Sequence, residues 1–255
     1  MRLPVLIGIF FGFVSVLTQA QAPPADTQKK SSSAAVPRAL DGKPDLSGIW
    51  ETSRLGLQPD GPDGKPTGQI IYFNTHVRQM EAPYQPWAAA KVKAFIETDD
   101  PMAHCLMAGV PRTMANPFPF QIAQAPGLVV ILYEWDHTYR IISTDGRPHS
   151  KDVDPSFMGD SVGHWEGDTL VVDITDFNDK TWLDYAGHFH TDALHIVERY
   201  HRSDVDTIDY EATIEDPNVM TKPWILPYTL KKANDRVREN ECIENEKDLK
   251  HLVGK

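Results

Sequence analysis

The chain has 255 residues, of which 41% are hydrophobic and 24% are charged. This composition is typical of a folded soluble protein and excludes a disordered or fibrous chain. Acidic residues outnumber Lys and Arg by 36 to 25, so the formal net charge is −11. Because an acidic chain offers no basic surface to a phosphate backbone, we do not expect nucleic acid as a partner.

The first 22 residues are predicted to be a secretory signal peptide. Arg2 supplies a positive charge, residues 5–17 form an apolar run, and residues 20–22 (Ala-Gln-Ala) have the small-x-small pattern that signal peptidase cuts. The run is shorter than the roughly 20 residues that a membrane span needs. We therefore expect a periplasmic or secreted protein with no stable membrane anchor after cleavage.

Two further segments follow the signal peptide. Residues 23–44 are rich in Pro, Ser, Ala and Lys and show no periodicity, which predicts a flexible linker. Residues 45–255 are predicted to be a single β-barrel-like domain.

The middle of the chain predicts three successive β-hairpins, because β-branched and apolar runs alternate with short polar turns. The predicted strand pairs are 128–135 with 138–144, 161–165 with 169–174, and 194–202 with 207–214. Further strands are predicted at 48–52, 69–74 and 225–231. One helix is predicted near 85–98, since Pro86 suits a first helical turn and Asp99-Asp100-Pro101 would end it.

This pattern favours an all-β, mainly antiparallel fold. A sandwich and a barrel are both compatible with about nine strands, and sequential hairpins favour a closed or nearly closed meander barrel. Gly48-Ile49-Trp50 resembles the Gly-x-Trp with which lipocalin-like barrels open, where the Trp plugs one end. The alternative is that Trp50 is an ordinary core residue.

Several longer segments resemble those of a large family of exported bacterial proteins to which no chemistry is assigned. The resemblance covers most of the predicted mature chain and implies that residues 45–250 are one domain. It carries no functional residues over. The segments are Pro44–Trp50, Asp145–His149, Ser161–Asp173, Leu194–Arg199 and Thr213–Pro217.

The chain has two cysteines, Cys105 and Cys242. In an exported protein they are expected to form a disulfide. Two buried free thiols, or one reactive thiol, are the alternatives.

His188 and His190 are candidate metal ligands, because residues at i and i+2 of a strand share one face. A third ligand would come from Asp192, His195 or Glu198. If this segment is a loop, strand geometry does not apply and the pattern predicts no metal.

The predicted strand from Leu194 alternates between two faces, and either face can point into a barrel. One face carries His195 and Arg199, which would suit an anionic or carbonyl-bearing ligand. The other carries Glu198 and Tyr200. The structural alternative is a solvated outer face with cross-strand Glu–Arg pairs.

The loop that follows the second predicted strand contains Asp145 and Arg147. Loops that combine Asp, Arg and His often carry catalytic groups. They are equally frequent as sheet corners, in which Asp accepts hydrogen bonds from backbone amides.

No nucleotide-binding loop, dinucleotide fingerprint, Gly-x-Ser-x-Gly or His-Glu-x-x-His motif occurs, and no cofactor is indicated. The favoured hypothesis is an enzyme of lyase, isomerase or hydrolase type that acts on a small sugar-like or aromatic molecule in a barrel pocket. His190, His195 and a carboxylate, Asp145 or Glu198, would act as acid and base, and Arg147 or Arg199 would hold an anion.

Three alternatives to this enzyme remain. The first is a periplasmic lipocalin-like protein that binds a small amphipathic ligand. The second is a cupin-like metal-dependent enzyme, and the third is an envelope protein whose surface carries its role.

Overall fold

Nine strands of the described residues form a closed barrel in this computed structural model, which describes residues 35–52 and 82–242. Each strand pairs with the next in sequence, and the first closes on the last through Trp50 opposite Lys232. The predicted all-β barrel with one nearby α-helix is confirmed. The strands are β1 (Gly48–Thr52), β2 (Phe120–Ala125), β3 (Leu128–Tyr133), β4 (Tyr139–Ser143), β5 (Asp160–Glu166), β6 (Thr169–Thr175), β7 (His195–Asp204), β8 (Thr207–Glu215) and β9 (Trp224–Lys232), and the helix is α1 (Pro86–Ala94).

The three predicted hairpins are present, and their strand ends differ from the prediction by at most about two residues. β2 was missed by the sequence analysis. The turn that joins β2 to β3 is Pro126-Gly127, a residue pair that favours turns, and Gly127 has φ +77°. The strand predicted at 69–74 lies outside the described residues.

The predicted antiparallel pairing is wrong at one pair of neighbouring strands. β4 and β5 pair in parallel, with Ser143 opposite Val162. A long loop over 144–159 returns the chain so that β5 runs in the same direction as β4. Gly163 of β5 lies where the two strands approach. A Cβ there would lie 3.0 Å from the Ile142 side chain and 3.1 Å from that of Thr144.

The barrel interior is filled by the side chains of one face of each strand. Burial alternates along β7 and β8, so Ile196, Tyr200, Ile208 and Tyr210 point inward and are nearly inaccessible. This alternation is the period of two that a strand imposes on its side chains. The inward face of β7 is therefore the one that carries Glu198 and Tyr200.

Trp50 is fully buried near the β7–β8 turn, and its indole Nε1 donates to the Leu46 carbonyl at 2.9 Å. The Arg202 guanidinium lies 5.1 Å from the Trp50 ring centre and donates to backbone carbonyls of the β7–β8 turn. Residues 35–44, within the predicted linker, form a turn that an isolated backbone β-bridge between Arg38 and Pro44 closes. The Arg38 guanidinium forms an ion pair with the Asp168 carboxylate.

The predicted disulfide between Cys105 and Cys242 is present, with the two Cα atoms 5.5 Å apart. It ties the segment after α1 to the end of the described chain. Within the described residues, no helix has the length and apolar character to cross a membrane. The disulfide is compatible with an exported protein.

Candidate functional site

The most buried charges belong to a network inside the barrel. Arg140 of β4 donates from its two terminal nitrogens to the two Glu198 carboxylate oxygens, at 3.1 and 2.7 Å. Tyr210 and Tyr200 each donate to one of the same oxygens, at 2.7 and 3.1 Å. Every partner of the carboxylate is protein, and Glu198 is completely inaccessible.

Electrostatics acts on the guanidinium and on the two tyrosines of this network. Burial opposes the charge of Arg140, but the Glu198 carboxylate together with Tyr133 and Tyr200 outweighs burial and raises the pKa of Arg140 well above its ordinary value. Burial and the same carboxylate raise the pKa values of Tyr200 and Tyr210. Four protein hydrogen bonds occupy the acceptor positions of the Glu198 carboxylate, which leaves no free acceptor position for a ligand.

His195 and Arg199 lie on the outer face of β7. His195 Nε2 lies 3.0 Å from an Asp173 oxygen, and His195 Nδ1 lies 3.3 Å from one of Glu215. Arg199 donates to Glu166 at 2.6 Å, and both side chains are exposed. Arg199 also borders a second cavity, of about 450 Å³, on the outside of β6–β9. The structure therefore does not bring His195 or Arg199 to His190.

Asp145 and Arg147 pair with each other on an exposed turn. The Arg147 guanidinium donates to both Asp145 oxygens, at 2.6 to 3.1 Å, and hydrogen bonds from its side chain and backbone lower the pKa of Asp145 to about 2. Gly146 between them has φ +84°. These features are typical of a sheet corner.

His190 lies in the segment between β6 and β7, residues 176–194, and is buried. Its Nδ1 donates to the Thr191 carbonyl at 3.0 Å, because a carbonyl can only accept. Nε2 of the neutral ring is then an acceptor, and the Thr181 hydroxyl, 2.7 Å away, donates to it. Burial lowers the pKa of His190, which favours this neutral form.

The His190–Thr181 pair borders a groove of about 500 Å³ that lies outside the barrel. Four aromatic side chains line it: Trp87 of α1, Phe95 directly after α1, and Trp182 and Phe189 of the segment between β6 and β7. The rings of Phe95 and Trp182 are 5.1 Å apart. Lys91 and Lys180 also line the groove, and Lys91 Nζ lies 4.1 Å from the Phe189 ring centre. Asp99 and Asp179 line it as well, so the groove combines aromatic rings with charges of both signs.

His188 belongs to a different pair from His190. Its Nδ1 lies 2.5 Å from a carboxylate oxygen of buried Asp184, while its Nε2 makes no hydrogen bond within the described residues. The Tyr84 and Trp224 rings flank His188, with centroid distances of 5.6 and 5.0 Å. Since the two imidazoles have separate partners, the structure does not bring the predicted metal pair together on a common ligand.

The groove depends on contacts that no short sequence motif encodes. Thr181 lies nine residues before His190. The two side chains meet because the backbone forms an isolated antiparallel β-bridge between Trp182 and Phe189. Thr181 and Lys91 were both missed by the sequence analysis. The single local signal was His190 itself.

Comparison with known proteins returned no matching family model, no matching curated protein and no matching solved structure. The resemblance to exported bacterial proteins and to lipocalin-like barrels therefore stays a prediction.

Proposed function

We propose that this chain is an exported hydrolase that uses its own side chains as acid and base, and that it cleaves a small aromatic ester bound in the groove. The observation that carries the proposal is the pairing of the Thr181 hydroxyl with neutral His190 at the wall of an aromatic-lined groove of about 500 Å³. A hydroxyl bonded to a base, with the base oriented by a third group, is the arrangement of an activated nucleophile.

The chemistry follows from the hydrogen-bond directions. Thr181 Oγ1 attacks the ester carbonyl as His190 Nε2 takes its proton, and the Thr191 carbonyl holds the ring in the required tautomer. The proton then passes to the leaving oxygen as the ester C–O bond breaks, leaving an acyl group on Thr181. Water, deprotonated by His190, releases the acid and restores the hydroxyl.

The aromatic walls of the groove support the choice of substrate class. The rings of Trp87, Phe95 and Phe189 suit a flat apolar group. Lys91 and Lys180 line the same groove together with Asp99 and Asp179, so it carries both signs of charge. Either lysine would favour the negative charge that develops on the carbonyl oxygen. A sugar-like ring is the second substrate class that such walls accommodate.

The test uses the secreted chain with its disulfide intact and p-nitrophenyl acetate and p-nitrophenyl butyrate as probes. Thr181→Val keeps the shape of the side chain and removes the hydroxyl, whereas Thr181→Ser keeps the hydroxyl. We expect release of p-nitrophenolate to fall by roughly 10²-fold or more in Thr181→Val and to persist in Thr181→Ser. Equal rates in the two variants would refute the proposal.

A binding protein for a small amphipathic ligand is the second candidate. It is favoured by the small accessible fraction of Thr181 and His190, 2% each, which limits attack on a bulky substrate. Quenching of tryptophan fluorescence by p-nitrophenol, reduced in Trp87→Phe, together with no turnover of either ester, would identify this function instead.

A further inference from the structure

We propose that the outer face of the barrel carries a divalent transition-metal site formed by His149, Asp160 and Asp176. The three side chains come from the long loop, the start of β5 and the residue after β6. One ligand atom of each lies within 4.8 Å of the other two, and all three residues are half-buried. This site goes beyond the proposed hydrolase and shares no residue with the groove.

The donor atoms are close to metal-binding geometry. His149 Nδ1 already lies 2.9 Å from an Asp160 oxygen. Three ligands at about 2.1 Å from one ion stand roughly 3–3.5 Å apart. Ion binding would therefore draw the separations, which are at most 4.8 Å, into this range. Because all three residues are only half-buried, water can complete the coordination.

An outer shell orients the ligands. His149 Nε2 lies 2.8 Å from Asp173, so the imidazole is held between a carboxylate on one side and the proposed ion on the other. Asp173 is itself bonded to His195 at 3.0 Å. The Thr175 hydroxyl donates to Asp176 at 2.7 Å. A carboxylate–histidine–metal relay of this kind is the usual second layer of a protein metal site.

The local charge also favours a cation. Asp160, Asp173, Asp176 and Glu215 contribute four carboxylates to a chain of contacts that contains two imidazoles, His149 and His195. One imidazole nitrogen and two carboxylate oxygens suit Zn²⁺ or Mn²⁺ better than Ca²⁺, which prefers six or more oxygens. We therefore assign the site to an ion of the Zn²⁺ or Mn²⁺ class.

The experiment measures metal content and geometry directly. The secreted chain is stripped with EDTA and dialysed against Zn²⁺ or Co²⁺ alone, and bound metal is counted by mass spectrometry while visible absorption reports Co²⁺ coordination. His149→Gln removes the nitrogen ligand, and Asp176→Asn removes a charge while tolerating the φ of +60° at that position. The matched control is His164→Gln, an exposed imidazole beside Glu166 at 3.2 Å.

We expect one ion per chain in the parent protein and in His164→Gln. His149→Gln and Asp176→Asn should each weaken binding by more than the roughly 10–100-fold that loss of an outer-shell partner costs. If either fails to fold, Asp173→Asn keeps all three ligands and should weaken binding within that range. No bound ion in the parent protein, or equal binding in all variants, would overturn the proposal without affecting the groove.

Discussion

The barrel interior and the groove beside it both bury polar groups, but they differ in what remains available to a ligand. Inside the barrel, Glu198 accepts four hydrogen bonds from protein donors and has no accessible surface. At the groove, His190 and Thr181 satisfy each other and still border a cavity of about 500 Å³. A proton-transfer pair at the wall of a cavity therefore supports a functional proposal better than buried charge alone.

The largest expected effect breaks the interior network. Glu198→Gln leaves the Arg140 charge buried without a counter-ion, so the free energy of unfolding should fall by about 3–5 kcal/mol. Urea denaturation measures this change. The control Glu51→Gln, on an exposed position of β1, should change it by less than about 0.5 kcal/mol. A Glu198→Gln protein as stable as the parent would show that the network is not structural.

Loss of the disulfide is expected to affect the groove side of the molecule. Replacing Cys105 and Cys242 together with Ser opens a loop of 137 residues, and the free energy of unfolding should fall by about 2–4 kcal/mol. His104 and Leu106, which line the groove, flank Cys105. The KM for p-nitrophenyl acetate should therefore rise in this variant, and an unchanged KM would separate the disulfide from the groove.

The pH dependence of hydrolysis should report His190. The proposed mechanism needs the neutral imidazole, and because burial lowers the pKa of His190, the acid limb of kcat/KM should have its midpoint below the ordinary histidine value of 6.5. The same shift makes the His190 contribution to stability complete above pH 6.5 and reduces it as the pH falls through the folded-state pKa. A midpoint at or above 6.5 would contradict this assignment.

The smallest effect is expected on the outer face of β7. Arg199→Gln removes an exposed ion pair with Glu166, and such pairs contribute little because water and salt screen them. The urea midpoint and the rate of ester hydrolysis should both stay within experimental scatter of the parent values. A large loss of hydrolysis would place Arg199 in the site after all.

The strands of the three hairpins were predictable because each shows a local pattern of apolar and β-branched residues. Alternation along β7 and β8 and the turn residues between them indicate a hairpin without knowledge of the rest of the chain. β2 is harder, because Gln and Ala occupy four of its six positions and only Phe120 and Ile122 are buried. The parallel pairing of β4 with β5 depends on the path of a long loop, which no local pattern encodes.

The candidate sites were less predictable than the strands. His190 was identified from its residue type, but its partner Thr181 is polar and common, and nothing in its neighbours distinguishes it. His149 and Asp160 lie eleven residues apart on a loop and a strand, and they meet only after the loop folds back. Contacts of this kind depend on tertiary packing and not on periodicity.

By itself, the sequence determined the composition of an acidic folded domain, the period of its strands, the position of its one described helix and the pairing of its two cysteines. These properties follow from near neighbours along the chain, or from the presence of only two possible partners. Tertiary structure alone decided which face of β7 points inward, because period two fixes alternation but not direction. It likewise decided that His190 meets Thr181 at a groove outside the barrel. Side chains already fill the interior of the closed sheet, so space for a ligand remains only outside it.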